Sequence, residues 1–522
     1  MTIFHDLLRS SAATHGGRIA LLFGEEQLSY EDVLVRAEGL AVKLTSEGIG
    51  PDDHLAVVMD NSLECVLVWL ASSIIGCTEV PVNPQYRGTL LHYMLADAQV
   101  TAAVCDACYL PGILDVAAQL PDLKRVLVNG HDAGSGSFPV TIRSLDVSAT
   151  PEQFVGVESA PERIILYTSG TTGPSKGVVH TQRSMLVLSR YNAEVMGYGE
   201  HDRLLNFFPL FHQNARYTGV IPALCSGASI RIERKLSTST FWQTCDRDRI
   251  TAFNYLGSVL RMILNVTGPE RHTGMHSVKK AFGAGASPGV WAEFEDRLGI
   301  ALYETYGLSE APMATLNLPE NRSPRGSAGR ASALFDVAVV DEDDELRPAG
   351  EMGEIVLRPR RADALMAGYH NNDAATAHAL RGGWFHSGDR GFLNAAGDLY
   401  FEERAKDSIR RRGENISAWE VESVLEQHPA VAEAAVCGVA CDDREEEVAA
   451  SLIPSDANAS LADIVAFARQ RLPAYAVPTL MRLVPDLPRT PTAKVRKEEL
   501  RAVPRASYCA LPAACKQEGL LE

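Results

Sequence analysis

The sequence predicts an α/β protein with a large N-terminal domain and a small C-terminal domain. The first observation is a strand–helix–strand pattern: residues 55–59 and 80–82 read as strands, and the helix between them can be capped by Asn61-Ser62 and ends at Gly76. The second is the repetition of this pattern, which indicates a mostly parallel sheet covered by helices. The third is the length of 522 residues, which exceeds one ordinary hydrophobic core and predicts at least two domains.

The alternation of strands and helices continues well beyond this first unit. Apolar runs bounded by turn residues predict strands, and longer amphipathic runs predict helices. We therefore expect the N-terminal domain to consist of stacked α/β subdomains. The further strands are predicted at residues 102–105, 126–128, 204–208, 230–232, 278–283 and 301–305, and the helices at residues 113–120, 240–248 and 290–298.

A β-rich subdomain is expected to follow these elements. From Asn321 onwards the chain has short apolar runs separated by turns. The runs at 337–340 and 354–357 flank the acidic segment DEDDELRPAG, whose composition is typical of a turn.

The C-terminal part of the chain predicts a compact α+β domain. Ser417 and Glu420 form an S-x-x-E capping box that opens a helix to about His428. A strand at 434–439 and a helix at 461–472 follow, and the last stretch has so little periodicity that we expect a mobile tail. The predicted divisions are an N-terminal domain at 1–402, a C-terminal domain at 403–505 and a tail at 506–522.

The composition is that of an acidic globular protein. A formal net charge of −17 and a pI near 5.4 disfavour non-specific binding to nucleic acid or to an anionic membrane, because both need a basic surface. The ten cysteines are scattered, and the pair Cys105 and Cys108 has no second pair to complete a zinc site, so free thiols in a reducing compartment are expected. The sequence shows neither a signal peptide pattern nor an apolar run of about 18 residues, which predicts a cytoplasmic protein without a membrane span.

The segment YTSGTTGPSKGV at 167–178 predicts a phosphate-binding loop. Its glycines allow the backbone to approach a polyanion, its hydroxyl groups can donate hydrogen bonds, and Lys176 supplies a positive charge. It differs from a Walker P-loop, because two residues separate Gly173 from Lys176 and a glycine follows the lysine. The alternative interpretation is a surface linker rich in glycine, serine and threonine.

Five other segments complete an ordered set of motifs. They are FGAGA at 282–286, ETYGLSE at 304–310, GWFHSGDR at 383–390, FEERAKD at 401–407 and LPRTPTAKVRKEEL at 487–500. Together with the loop at 167–178, this set resembles the adenylate-forming superfamily of acyl-CoA synthetases, adenylation domains and luciferases, over roughly residues 10–500. Within that superfamily the segment FFPLFHQNARYTGVIPALCSGA at 207–228 is most similar to carnitine/crotonobetaine-type and related acyl-CoA ligases.

The resemblance implies a nucleotide site and a magnesium site. Tyr306 would stack on adenine, Ser309 would contact phosphate, Asp389 would accept hydrogen bonds from the ribose, and Arg404 would make a second ribose or phosphate contact. Glu310 and Thr171 would hold Mg²⁺, which prefers oxygen ligands. The full set of implied nucleotide-binding residues is Thr168, Ser169, Gly170, Thr171, Thr172, Gly173, Lys176, Gly283, Ala284, Gly285, Tyr306, Gly307, Ser309, Asp389 and Arg404.

The resemblance also implies an acyl pocket and a gate to the thiol substrate. His212 follows Pro-Leu-Phe and is similar to the histidine that the family places between the acyl pocket and the pantetheine tunnel. The alternative for His212 is a histidine packed in the core with its polar atoms satisfied. The implied pocket residues are Phe207, His212, Asn214, Tyr255, Gly257, Gly283 and Leu308.

The implied roles of the C-terminal domain depend on a rotation. Lys494 resembles the lysine that bridges the substrate carboxylate and the α-phosphate, where its charge opposes the repulsion of two anions. Glu403 lies at the position of the family's hinge, and rotation there would replace Lys494 by a basic face that meets coenzyme A. The implied coenzyme A contacts are Arg410, Arg411, Arg412 and Gly413. The chain departs from the usual family pattern at Ala493, Glu403, Ser309 and Ser387.

These observations predict an ATP-dependent acyl-CoA ligase. A carboxylic acid and ATP would give acyl-AMP and pyrophosphate, and coenzyme A would then give acyl-CoA and AMP. Three alternatives stay open: an enzyme that performs only the thioester step on a preformed adenylate, an enzyme that loads a separate carrier protein, and a nucleotide sensor without turnover. A homodimer is compatible with the resemblance, and the acid cannot be identified from the motifs.

Overall fold

The computed structural model describes residues 3–130, 139–145, 163–168, 174–404, 408–411, 414–441, 446–455, 459–488 and 495–510. The chain divides into two compact units. The large unit contains Met1–Pro84, His92–Tyr167 and Gly177–Glu403, and the small unit contains Gln85–Leu91, Thr168–Lys176 and Arg404–Glu522.

Helices and strands alternate along the described chain, as the sequence predicts. The helices are α1 Ile3–His15, α2 Tyr30–Ser46, α3 Leu63–Ile75, α4 Gly88–Asp97, α5 Leu110–Ala117, α6 Gln182–Met196, α7 Gln213–Ala215, α8 Ile221–Ser226, α9 Phe241–Asp248, α10 Gly257–Val266, α11 Pro288–Ala292, α12 Asp373–Ala379, α13 Ala418–Leu425, α14 Leu461–Arg469 and α15 Lys497–Arg501. Single π-helical stretches, Arg216–Val220 and Glu293–Arg297, continue α7 and α11.

The strands form sheets of different composition. They are β1 Ile19–Phe23, β2 Glu26–Ser29, β3 His54–Val58, β4 Thr78–Pro81, β5 Ala102–Asp106, β6 Arg125–Asn129, β7 Thr141–Ser144, β8 Arg163–Thr168, β9 Lys176–Thr181, β10 Arg203–Asn206, β11 Ser229–Ile232, β12 Ala252–Leu256, β13 Lys280–Ala284, β14 Ala301–Tyr306, β15 Thr315–Asn317, β16 Arg330–Ala331, β17 Phe335–Val340, β18 Gly353–Pro359, β19 Gly368–Tyr369, β20 Phe385–Leu393, β21 Leu399–Arg404, β22 Ser408–Arg411, β23 Glu414–Ser417, β24 Val431–Ala440, β25 Glu446–Pro454, β26 Leu480–Leu483 and β27 Cys509–Ala510.

Two mostly parallel sheets dominate the large unit. Within the described residues, the first has the order β16-β15-β14-β13-β12-β10-β11-β1-β2 and the second the order β19-β9-β8-β4-β3-β5-β6-β7. A third, antiparallel sheet has the order β17-β18-β20-β21. The predicted fold class, stacked α/β subdomains with a β-rich subdomain and an α+β C-terminal part, is confirmed.

The predicted β3-α3-β4 unit shows how local sequence sets the fold. The Ser62 hydroxyl accepts a 3.0 Å hydrogen bond from the Cys65 amide at the start of α3, and Gly76 ends the helix with a φ of 78°. Helix α3 is buried along nearly its whole length and contacts β3 and β4 of one sheet and β1 of the other. A helix that is apolar on all sides is stable in this position, because both sheets cover it.

The small unit contains the sheet β24-β25-β26-β27 and the hairpin β22-β23, with α13 and α14 packed on their core. The helix predicted to reach His428 ends at Leu425, and the helix predicted to reach Leu472 ends at Arg469. The predicted tail begins too early, because the Cys509–Ala510 strand pairs with β26 and Tyr508 is buried. Folded chain therefore extends to residue 510 within the described ranges.

Candidate active site

The order of strands in the first sheet creates a crevice at their carboxyl ends. From β10 the chain passes through α7 and α8 to β11 on one side, and then through α9 to β12 on the other side of β10. Such a reversal of strand order opens a gap where ligands bind in open α/β sheets. The ends of β12, β13 and β14, and the segments that follow these strands and β10, carry all seven predicted acyl-pocket residues and six of the fifteen predicted nucleotide residues.

The chain segments at the carboxyl ends of β12 and β13 lie in close contact with each other. Gly285 follows β13 with a φ of 82°, and a Cβ atom on Gly257 would lie 1.9 Å from the Gly285 carbonyl oxygen. A Cβ atom on Gly283 would lie 2.0 Å from the Tyr255 carbonyl oxygen. Side chains at these positions would push the turns apart, which explains the glycines in the FGAGA segment.

A buried carboxylate fixes the turn after β13. Glu304 accepts hydrogen bonds from the Gly285 amide and, at 3.1 Å, from the Ala286 amide. The Tyr255 hydroxyl donates to its second oxygen at 2.6 Å. Burial and the Glu304 charge raise the pKa of Tyr255 well above its ordinary value, so this hydroxyl keeps its proton and acts as the donor.

The residues predicted to hold adenine and ribose meet directly. The Tyr306 hydroxyl, at the end of β14, donates a 2.9 Å hydrogen bond to Asp389 on β20. Both side chains are buried, and the Tyr306 ring stacks on Phe401 with centroids 6.0 Å apart. Tyr306 and Asp389 thus join the end of the parallel sheet to the antiparallel sheet.

A second, half-buried carboxylate supports the segment before Asp389. Glu354 on β18 accepts a 2.8 Å hydrogen bond from the Gly388 amide, and His386 Nδ1 lies 3.0 Å from its other oxygen. The Ser387 hydroxyl donates to the Ile355 carbonyl at 2.6 Å and accepts from the Asp389 amide at 3.1 Å. The serine at this position therefore shapes the turn through its hydroxyl group.

Glu310, a residue predicted to hold Mg²⁺, forms a hydrogen bond through one of its two carboxylate oxygens. Its carboxylate is buried, and the Tyr369 hydroxyl donates to its Oε1 at 2.8 Å. No hydrogen bond to Oε2 is present among the described residues, which leaves one oxygen available to a hard cation. Thr171, the other predicted metal residue, lies outside the described residues.

His180 holds the backbone of Ser309 in place. It lies on β9, where its Nε2 is 2.7 Å from the Ser309 carbonyl oxygen and its Nδ1 is 2.8 Å from the Ser184 hydroxyl. Burial lowers the pKa of His180 to about 4, so the ring is neutral near pH 7. The proton lies on Nε2, because the carbonyl can only accept, and Nδ1 accepts from Ser184.

The segment before His212 is anchored from both sides. Asn61 accepts a 2.8 Å hydrogen bond from the Leu210 amide and donates to the Phe208 carbonyl at 2.9 Å. Arg216 donates to the Leu210 carbonyl and forms a buried bidentate pair with Glu79, with both distances 2.7 Å. His212 itself starts α7, with its ring centroid 4.5 Å from that of Phe211.

The other predicted pocket residues occupy different environments. Asn214 accepts a 2.9 Å hydrogen bond from Asn254, which is next to Tyr255 on β12. Phe207 packs in the core against Phe241, which indicates a largely structural contact. Leu308 is partly buried against the main core, and a Cβ atom on Gly307 would lie 2.6 Å from the Met313 amide nitrogen.

The described residues include both ends of the glycine-rich loop. The Tyr167 hydroxyl donates to Asp97 at 2.6 Å, and the Thr168 hydroxyl lies 3.5 Å from the Lys176 carbonyl oxygen. A Cβ atom on Gly177 would lie 2.6 Å from Ile165, so the lysine is followed by a position that requires glycine. Ser169, Gly170, Thr171, Thr172 and Gly173 lie outside the described residues.

The predicted coenzyme A face differs from expectation at one residue. Arg411 is buried, donates to the Tyr475 and Val477 carbonyls at 2.8 and 3.1 Å, and pairs with Glu447 at 3.0 Å. Its guanidinium is a structural group in this conformation and is not presented to a phosphate. Arg410 is half-buried on the same hairpin. Glu403 and Arg404 end β21, and Arg412, Gly413 and Lys494 lie outside the described residues.

The structure thus brings together Tyr306 and Asp389, and separately Gly257, Gly283 and Gly285 with Tyr255. The sequence motifs did not identify Glu304, Glu354 or His180 as supports of these segments. Glu304 and His180 are buried and Glu354 is half-buried, and a polar group that is removed from water needs a hydrogen-bond partner. A polar residue within an apolar strand was therefore the sequence signal for these three supports. It does not identify the group to which each of them bonds.

Fold and site together define a class, the adenylate-forming enzymes. The chain belongs to the AMP-binding enzyme family, which matches residues 8–370, and residues 420–494 match the AMP-binding enzyme C-terminal domain. The predicted enzyme class, an AMP-forming ligase, is confirmed at this level.

Known proteins resemble the chain over nearly its whole length. A crotonobetaine/carnitine–CoA ligase of Salmonella paratyphi B is 26% identical over 501 residues, which cover 94% of this chain and 97% of the relative. The structure of o-succinylbenzoate CoA synthetase from Bacillus subtilis has a TM-score of 0.82 at 23% identity, and covers 95% of this chain and 98% of its own. A fatty acyl CoA synthetase of Mycobacterium tuberculosis has a TM-score of 0.67 at 27% identity, with 95% and 97% covered.

Across the described ranges, every helix is too short or too polar to cross a bilayer.

Proposed function

We propose that the protein is an ATP-dependent acyl-CoA ligase, which activates a carboxylic acid as acyl-AMP and transfers the acyl group to coenzyme A. The observation that carries the proposal is the 2.9 Å hydrogen bond between Tyr306 and Asp389. It brings the predicted adenine and ribose contacts together beside the carboxyl ends of β13 and β14. The whole-length similarity to named CoA ligases supports the choice of acceptor.

The first half-reaction joins two anions, so the site must lower their repulsion. Asp389 accepts hydrogen bonds from the ribose, Tyr306 covers the adenine, and the loop at 168–176 donates to the phosphates. Lys494 holds its ammonium group between the carboxylate and the α-phosphate. The carboxylate oxygen forms a bond to the α-phosphorus, and pyrophosphate leaves.

Glu310 and Thr171 would hold Mg²⁺ in this arrangement. The buried Glu310 carboxylate fits this role, because its Oε1 is oriented by Tyr369 while Oε2 stays available. The ion, when bound, neutralises charge on the phosphate oxygens.

The second half-reaction needs a thiol in place of the lysine. The small unit turns at Glu403, which withdraws Lys494 and brings the Arg410 side of the hairpin to the entrance. His212 lies at the boundary between the acyl crevice and the thiol path. The thiol sulfur then forms a bond to the acyl carbonyl carbon, AMP leaves, and the thiol proton passes to solvent or to a nearby base.

Pyrophosphate release in the presence of a panel of carboxylic acids tests the proposal. We expect release to require an acid and a divalent cation, and Lys494→Ala to abolish it while thioester formation from synthetic acyl-AMP and coenzyme A persists. Lys279→Ala, at an exposed position of the large unit, is the matched control and should retain both activities. A parental rate of pyrophosphate release from Lys494→Ala would contradict the assignment.

The same experiment separates the alternatives. Thioester formation from acyl-AMP but never from acid and ATP would favour an enzyme of the second half-reaction. Release of pyrophosphate without transfer to coenzyme A would favour a separate carrier protein as the acceptor. Nucleotide binding without either product would favour a sensor.

A further inference from the structure

A group of uncharged polar side chains lies where the strand order of the first sheet reverses. Asn206 ends β10 and Asn254 lies near the end of the neighbouring parallel strand β12. Asn214 and Thr218 come from the helical connection that leaves β10. We call these four residues the amide cluster. Its position coincides with the crevice in which open α/β sheets bind their ligands.

The hydrogen bonds inside the amide cluster fix the orientation of Asn254. Its Nδ2 donates to Asn214 Oδ1 at 2.9 Å and to the Thr218 hydroxyl at 2.8 Å, and lies 3.1 Å from the Thr218 carbonyl oxygen. A nitrogen is required there, because four oxygens face it, the fourth being the Asn214 carbonyl oxygen at 3.4 Å. The carbonyl oxygen of the Asn254 side chain therefore points the other way.

The cluster leaves acceptors without partners. Asn254 is 4% exposed, and its Oδ1 accepts no hydrogen bond from the part of the chain that is described. Asn206 is 2% exposed; its Nδ2 donates to the Phe208 carbonyl at 2.9 Å, while its Oδ1 is buried and unpaired among the described residues. A buried acceptor that stays unpaired costs about 1–3 kcal/mol, which applies to Asn206 Oδ1; the Asn254 oxygen is not fully buried, so a donor from a ligand in the crevice can reach it.

The electrostatics of this edge favour a neutral donor over a cation. Glu304 on β14 is a buried carboxylate of the same sheet. It already accepts hydrogen bonds from the Tyr255 hydroxyl and from the Gly285 and Ala286 amides. The amide cluster itself carries no formal charge. A quaternary ammonium group has no N–H or O–H to donate, and so would leave the Asn254 oxygen unpaired.

We propose that the acid substrate carries a neutral hydrogen-bond donor, a hydroxyl or an amide N–H, which the Asn254 side-chain oxygen recognises. This inference rests on the proposed ligase function and adds the substrate class to it. A site built to pair a substrate hydroxyl rejects the analogue that lacks it, because the protein acceptors are then left buried and unpaired. The amide cluster thus determines specificity for the part of the acid substrate that lies beyond its carboxylate.

Matched pairs of acids test the proposal by pyrophosphate release. The probes are butanoate against 3-hydroxybutanoate and 4-hydroxybutanoate, 3-phenylpropanoate against 3-(4-hydroxyphenyl)propanoate, and 4-trimethylammoniobutanoate as the cationic acid. We expect kcat/KM for at least one hydroxylated acid to exceed that of its plain counterpart about tenfold or more. Asn254→Leu should reduce this ratio to about one, mainly by raising KM for the hydroxylated acid.

One further variant separates recognition from folding. Asn129→Leu replaces an asparagine at the end of a parallel strand of the other sheet, where it donates to Asp106 at 2.9 Å, and should leave the ratio unchanged. A loss of activity that is equal for both members of a pair would indicate a structural role and overturn the proposal.

The outcomes for the inference and for the ligase function are distinct. Preference for plain acids or for the trimethylammonium acid would overturn the inference while the ligase function stands. If no acid releases pyrophosphate, the ligase function fails, and calorimetric binding of the same acids in the presence of AMP decides the inference. A preference for hydroxylated acids that Asn254→Leu removes would support it, and equal binding within each pair would overturn it.

Discussion

The Tyr255 hydroxyl reaches the Glu304 carboxylate, at 2.6 Å, across the strand that separates them. Tyr255 on β12 and Glu304 on β14 are both register partners of Gly283 on β13. The bond is possible because Gly283 has no side chain to fill the space between them. One glycine therefore permits a hydrogen bond that orders the turn at Gly285.

Removal of this hydroxyl should destabilise the large unit. Tyr255→Phe leaves Glu304 buried with one donor fewer, and hydrogen bonds to charged groups contribute about 1.5–3 kcal/mol. We expect a lower melting temperature in calorimetry. Tyr198→Phe is the matched control, because the Tyr198 hydroxyl is buried without a partner in the described structure. Equal melting temperatures for the two variants would show that the bond contributes little.

A methyl group at Gly283 should disturb the same site by a different mechanism. Its Cβ would lie 2.0 Å from the Tyr255 carbonyl oxygen and 2.7 Å from the Tyr255 ring, so β12 and β13 must separate. We expect Gly283→Ala to cost about 1–3 kcal/mol, as overpacking does, and to weaken AMP binding in calorimetric titrations.

Gly289→Ala provides the comparison for this glycine. Gly289 lies in α11, and a Cβ atom there would have no other atom within 4 Å. Alanine has a better helix propensity than glycine, so this variant should be as stable as the parent or slightly more stable. Tolerance of Gly283→Ala at the level of Gly289→Ala would refute the proposed spacing.

The sequence predicted those parts of the fold that local chemistry determines. The start of α3 at Ser62 and its end at Gly76 need only a capping hydroxyl and a left-handed glycine, both visible in the sequence. The beginning of α13 at Ser417 was predicted for the same reason, but the partner of Glu420 was not. In a capping box the Glu420 side chain would accept a hydrogen bond from the backbone at the start of its own helix. In the structure its carboxylate accepts a hydrogen bond from the Ser175 hydroxyl.

Long-range contacts explain the rest of the differences. Arg411 was expected on an exposed basic face, but the Tyr475 and Val477 carbonyls and the Glu447 carboxylate bury it. The strand at Cys509–Ala510 has too few residues for a periodic pattern and exists because β26 offers an edge. Neither partner is close in sequence, so no local rule could have selected it.

The pairing of Tyr306 with Asp389 predicts a defect in nucleotide affinity. Asp389→Asn keeps the shape of the side chain but replaces a charged acceptor by a neutral one, and charge-assisted hydrogen bonds are the stronger kind. We expect AMP to bind about tenfold more weakly or worse in calorimetric titrations. Asp336→Asn, at an ion pair with Arg358 and Arg360 in the antiparallel sheet, is the control and should leave AMP affinity unchanged. Comparable AMP affinity in Asp389→Asn and the parent would argue against the ribose contact.

The ionisation of Glu420 predicts how the stability of the small unit depends on pH. Burial raises the pKa of Glu420 from 4.5 to about 7, and the Ser175 hydroxyl opposes this only in part. Tyr86 and Tyr475 line the same space, and burial raises the pKa of Tyr86 well above its ordinary value, so the Tyr86 hydroxyl keeps its proton near neutral pH.

The sign follows from the two pKa values of Glu420. Between pH 4.5 and 7 the folded state retains a proton that the unfolded state releases, so stability falls as the pH rises and the loss is complete above about pH 7. The loss amounts to about 3 kcal/mol, because each pKa unit corresponds to about 1.4 kcal/mol.

Glu420→Gln cannot ionise, and its amide oxygen can still accept from Ser175. Relative to the parent, this variant should have nearly the same stability at pH 5 and greater stability at pH 8, measured by calorimetry at both values. Glu426→Gln, at the exposed end of the same helix, should behave alike at both pH values. A Glu420→Gln stability difference that does not change with pH would mean that the buried carboxyl group ionises normally.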